Sequence, residues 1–137
     1  MQTFIYSFQD LQVYQLAFRC SVEVYDLAKQ FPETPDACLT HQLLATSRAV
    51  RAHIAAAWGK RRDPVALISQ LSTAQLAAAV MQSWIEAAIG AGYLDAEVGQ
   101  DLYDRYRCIF LALDQLMENG AVVSKRWEEC RDLRATA

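Results

Sequence analysis

The stretch "SFQDLQVYQLAFRCSVEVYDLAKQFP", Ser7 to Pro32, decides the fold. Ser7 followed by Asp10 is a variant of the capping box that opens helices. The prolines of "FPETPD" close one. At about 100° per residue, Phe8, Leu11, Tyr14, Phe18, Val22 and Tyr25 lie within about 60° of one direction. Val13, Leu16, Cys20, Val24, Leu27 and Phe31 gather on the opposite side, and Gln12, Arg19, Glu23 and Asp26 fill a strip between the two. A helix in a monomeric bundle needs one apolar face. The second face calls for another subunit, with Val13, Leu16, Cys20, Val24 and Leu27 as candidate interface residues, or for a tail or loop folded over it.

The rest of the chain repeats the helical pattern, and no stretch alternates apolar and polar residues between turn clusters. The first helix runs from Ser7 to about Gln30, and a second from about Asp36 to Trp58, stopped by Gly59. A third opens at Asp63-Pro64, a cap followed by proline in the first turn, and ends in "GAGYL". A fourth runs from Ala96 or Gly99 to Glu118, and a short tail helix is expected in "SKRWEECRDLRATA", capped by Ser124. Helices of this length with short links predict an all-α fold, an antiparallel up-down-up-down four-helix bundle over residues 1–120, with residues 121–137 as a tail.

The second helix carries a core stripe of Leu39, Leu43, Val50, Ile54 and Ala57. Ala45, Ala49, Ala52 and Ala56 form a small-residue face that lets another helix come close, and these are further interface candidates. The third helix has no charged residue from Pro64 to Ile85. Gln70, Gln75 and Gln82 would be costly in lipid, so we read no membrane span in this chain. The third helix is expected to be buried on most sides, its glutamines paired within the protein or across a subunit interface. In the fourth, Val98, Leu102, Ile109, Leu113 and Leu116 form the core line, with Tyr103, Phe110 and Met117 beside it.

A length of 137 residues suits one domain, and the start of the chain has no basic region followed by a cleavage site. Cys20, Cys38, Cys108 and Cys130 lie far apart without a C-x-x-C pair, which points to reduced thiols in a cytoplasmic protein. The net charge of −3 is unevenly spread. Between Ala37 and Arg62 there is no acid, but there are Arg48, Arg51, Lys60, Arg61 and Arg62. Between Glu86 and Glu118 seven acids face only Arg105 and Arg107. Such polarity suits a partner of one sign or self-association of unlike faces. The five cations are the candidate contacts to RNA or to an acidic protein, although the acidic balance argues against a general nucleic-acid binder.

The chain lacks G-x-S-x-G, P-loop and G-x-G-x-x-G patterns. His53 has no ligand at helical spacing, and Cys38 with His41 supplies too few ligands for zinc. No histidine follows the glutamate of a di-iron E-x-x-H. We expect no catalytic residue, no metal and no cofactor.

Phe8, Asp10, Leu11, Val13, Tyr14 and Ala17, followed by Phe31-Pro32, fit the pattern F-x-D-L-x-V-Y/W-x-x-A. Gln42, Leu43, Ala52, Ile54, Ala55 and Gly59 fit a second-helix pattern, Q-L-R-R-A-x-x-S-I-P-A-N-I-A-E-G-x-G. The chain thereby resembles, from about Phe8 to Leu116, the bacterial four-helix bundle proteins encoded in intervening sequences of large-subunit ribosomal RNA genes. That family is similar in turn to the accessory variability proteins of diversity-generating retroelements. Leu44 and Ala45 stand where the family has two arginines, Arg51 where it has proline, His53 where it has asparagine, and Ala56-Ala57 where it has Glu-Gly. The resemblance implies a bundle that assembles as a ring, commonly a pentamer, without enzymatic activity. In the retroelement branch it implies a reverse transcriptase and its template RNA as partners.

Overall fold

The structure, a computed structural model, describes residue 5, residues 7–33 and residues 38–135, with side chains as far as Glu129. A 3-10 turn, Phe8–Asp10, precedes five helices: α1 Gln12–Ala28, α2 Cys38–Gly59, α3 Pro64–Gly90, α4 Ala96–Glu118 and α5 Gly120–Ala135. No strand occurs among the described residues. The chain is an all-α helical bundle.

Several ends follow the local chemistry. Asp63 caps α3 by accepting the amides of Val65 and Ala66 at 3.0 and 3.3 Å, and Asp95 caps α4 through Glu97 and Val98. The turn between α3 and α4 rests on Gly92, whose φ of +78° favours glycine. The amides of Tyr93 and Leu94 both reach back to the Ala88 carbonyl.

Two boundaries differ from expectation, and a third falls outside the described residues. The Ser7–Asp10 box is present, but it caps only the 3-10 turn. Leu11 then adopts an extended backbone, because its side chain is drawn into the core, 4% exposed, and α1 proper starts at Gln12. The tail helix starts at Gly120, four residues before the expected cap. Ser124 sits inside it and donates its hydroxyl to the Arg61 carbonyl, a tertiary contact that replaces the local one. The expected start of α2 at Asp36 lies outside the described residues.

α1 packs on α2 and α4, and α3 packs on the same two helices, so α1 lies diagonal to α3 and α2 to α4. Between α3 and α4, the Gln75 amide donates to the Phe110 carbonyl and the Asp114 carboxylate, each at 3.2 Å, and Gln82 donates to the Tyr103 carbonyl. Residue numbers thus climb on one helix as they fall on the other. Leu67, Leu71, Ala74, Ala78, Met81, Ile85 and Ala88 make α3 the largest contributor of buried residues. α2 adds Leu43, Val50, Ile54 and Ala57, and α4 adds Leu102, Ile109 and Leu113. By length and composition alone α3 is also apolar enough to cross a membrane, with a mean hydropathy of 1.4 over its most apolar window. Here its glutamines are spent on α2 and α4, as expected of a bundle helix.

α1 is joined to α4 by charge. Arg105 bridges Glu23 of α1 and Asp101 of its own helix. Burial works against the Arg105 charge, but the hydrogen bond to Glu23 and the surrounding negative fields hold it more firmly protonated than usual. Behind the bridge lie Cys20 and Tyr106, both inaccessible to solvent. The Tyr106 hydroxyl is buried without a hydrogen-bond partner. Burial raises both acids, Cys20 from its ordinary 9.0 to about 11.

Two outcomes follow. Ile54→Ala, at a position with no exposed surface, lowers unfolding free energy by about 2–5 kcal/mol in urea titration. The folded chain also holds the Cys20 proton more tightly than the unfolded one does, so stability is full below about pH 9 and falls as the pH rises toward about 11. Urea midpoints taken across that range fall for the wild type, and fall less for Cys20→Ala.

Candidate functional site

α1 shows which of its two apolar faces is internal. Val13, Cys20 and Val24 are buried in the core of their own chain, and Leu16 and Leu27 are half-buried against it. Of the candidate interface residues on this face, Val13, Cys20 and Val24 are taken up by the core of their own chain, whereas Leu16 and Leu27 keep part of their surface. The opposed face points outward, with Phe18 44%, Val22 45% and Tyr25 56% exposed. The reason is the Arg105–Glu23 bridge and the inserted Leu11, which fix the rotation of α1 about its axis. Cations lie on the outward rings. The Arg51 guanidinium is 5.5 Å from the Phe18 centroid and the Lys29 ammonium 4.5 Å from that of Tyr25. Tyr14 and Phe18, with Gln9, Gln15 and Arg19, line a shallow groove of about 330 Å³.

The diagonal helix has its own open face. Val65, Ile68, Ser69, Ser72, Leu76, Val80 and Ser83 of α3 are exposed and uncharged, with Leu76 at 66%. At its margin the Trp84 indole N–H is buried without an acceptor. On α2, Ala52 is exposed and Ala45, Ala49 and Ala56 are half-buried. α4 exposes Glu97, Asp101, Asp104, Asp114 and Glu118. The bundle thus has apolar corners at α1 and α3, a basic corner at α2 and an acidic one at α4.

The five candidate cations separate on inspection. Arg48 is exposed and donates only to the Leu44 carbonyl at 3.2 Å among the described residues. Arg51 is half-buried over Phe18, its Nε without a partner. Lys60 is exposed. Arg61 lies 4.3 Å from the Trp58 ring centre and donates to the Trp58 carbonyl at 2.9 Å. Arg62 donates to Glu128 of α5 at 3.0 Å. Trp127 of α5 packs against Trp58 with ring centres 5.6 Å apart. The pairing of the basic turn with α5 went unread in the sequence because its partners are about 66 residues away and share no helical spacing with it.

His53 faces Gln70 across α2 and α3, with Nδ1 and Oε1 3.3 Å apart, a tie between helices. Among the described residues no group of three or more histidine, cysteine or acidic side chains is placed to hold a metal. Cys20 is buried, and Cys38 and Cys108 are exposed.

No curated protein matches the chain. In fold it is similar to a crystal structure of a protein of unknown function from the S23 ribosomal protein family of Bacteroides thetaiotaomicron. The TM-score is 0.70 at 20% identity, covering 77% of this chain and 97% of that one. The model of the 23S rRNA-intervening sequence protein family matches residues 9–115, from the turn before α1 to the last turn of α4. The chain belongs to the 23S rRNA-intervening sequence protein family.

Proposed function

We propose that this chain is a non-catalytic building block that assembles with copies of itself and presents a basic edge to an anionic partner. In this reading each copy is an antiparallel up-down-up-down four-helix bundle. The outward α1 face of one copy packs on the uncharged α3 face of the next. Because the two faces differ, the contact is heterologous and closes into a ring, a pentamer as the family resemblance implies. The single observation that carries the reading is the outer face of α3, uncharged from Val65 to Ser83 and, among the described residues, covered only at its start, where Gly120 of α5 meets Ile68. Exposed apolar patches of this kind mark interfaces. The basic α2 edge adjoins the α1 face, where Arg51 lies over Phe18, while Arg48 and Lys60 are the exposed cations that it offers to a partner.

Sedimentation equilibrium of the full chain tests this. A mass five times the protomer's 15.4 kDa is expected, and a monomeric mass at micromolar concentration contradicts it.

A further inference from the structure

α5 lies beyond the part of the chain that the family model matches. The Bacteroides protein is matched over nearly its whole length while about a quarter of this chain has no counterpart in it. α5 is joined to α4 through one residue, Asn119. It rests on the bundle through Gly120, Val123, Ser124 and Trp127, and its Ala121, Val122, Lys125, Arg126 and Glu129 are exposed. What it covers is the turn that carries the basic run. Ser124 donates to the Arg61 carbonyl, Trp127 packs on Trp58, and Glu128 accepts from Arg62.

The chemistry of that clasp is specific. Two adjacent residues of α5 offer a flat aromatic ring and an anion, and they engage a flat aromatic ring and a guanidinium on the turn. A nucleotide offers the same pair, a base and a phosphate. We propose that α5 is an intramolecular stand-in for a single-stranded nucleic acid, with Trp127 in the place of a base on Trp58 and Glu128 in that of a phosphate on Arg62. Single-stranded sites combine rings on which bases stack with cations along the backbone, and the tilt of 46° between Trp58 and Trp127 is one that a flat base would close into a stack. Arg61, already laid on Trp58, and Lys60 complete the set. An acidic protein would use the cations but has no need of the indole, so nucleic acid is the better fit. α5 must lift before the strand binds, and the apparent affinity is reduced by the fraction of chains in which it is lifted. This inference rests on the reading that the basic edge takes an anionic partner.

Anisotropy of a fluorescein-labelled oligouridine, titrated with full-length protein at several salt concentrations, tests it. Glu128→Gln tightens binding by about two- to fivefold over wild type, and Trp127→Ala with Glu128→Gln by about tenfold or more. Glu129→Gln removes the same charge from an exposed neighbouring position and changes binding by less than about twofold. Arg62→Ala in the released background reverses the gain and lowers the salt dependence by about 0.7 in log–log slope, one phosphate contact. Far-UV circular dichroism checks the fold; should Trp127→Ala unfold the chain, Glu128→Gln alone carries the comparison. Released variants that bind no tighter than wild type, while Lys60→Ala weakens all of them, overturn the clasp and leave the basic edge standing. Binding that is absent, or indifferent to Lys60→Ala and Arg62→Ala, overturns both. Polyglutamate competing as well as oligouridine overturns the assignment to nucleic acid.

Discussion

The need to cover α3 governs this structure. A helix without a charge from Pro64 to Ile85 has little to lose by being dry on any side. Three of its sides are met within the chain: α2 on one flank through His53 and Gln70, α4 on the other through Gln75 and Gln82, and the core between them. Alanines at positions 74, 78 and 88 let the neighbouring helices approach closely. The fourth side stays open, and it is the side on which one chain supplies no further helix. α5 reaches only its start, where a side chain added at Gly120 would strike Ile68.

The helices themselves were legible in the sequence because their signals are local. Asp63-Pro64, Asp95 and the glycines of "GAGYL" act within a turn of where they stand, and the core lines of α2 and α4 follow from spacing, except that Val98, in the first turn of α4, is exposed instead of joining the core. The orientation of α1 was not legible. Its two apolar faces are equally regular, and what selects between them is a bridge from Glu23 to a residue 82 positions away, together with a leucine that leaves the helix to enter the core. The same limit hid the α5 clasp. Ser124 reads as a cap because capping is a local rule, but the hydroxyl found a carbonyl on a distant turn.

The candidate cations illustrate how charge in a sequence differs from charge on a surface. Five positive residues without an intervening acid looked like a handle for an anion. In the fold, Arg62 is paired, Arg61 is laid on an indole and Arg51 covers a phenyl ring, which leaves Arg48 and Lys60 as the exposed members without an acidic partner among the described residues. A basic edge that is partly self-occupied suits a regulated contact better than constitutive binding, and it agrees with the net acidity of the chain. The apolar corners and the charged ones alternate around the bundle and meet where Arg51 of α2 lies over Phe18 of α1.

The central claim is that unlike faces of two copies meet. Mixing two face-blocked variants tests it most directly. Val22→Glu with Tyr25→Glu blocks the α1 face, and Leu76→Glu with Val80→Glu blocks the α3 face, all at exposed positions that spare the core. Each variant alone is predicted to sediment as a monomer, and the equimolar mixture as a one-to-one dimer, because only one intact pair of faces remains. A mixture that stays monomeric while the wild type assembles, or either variant still assembling alone, contradicts the account.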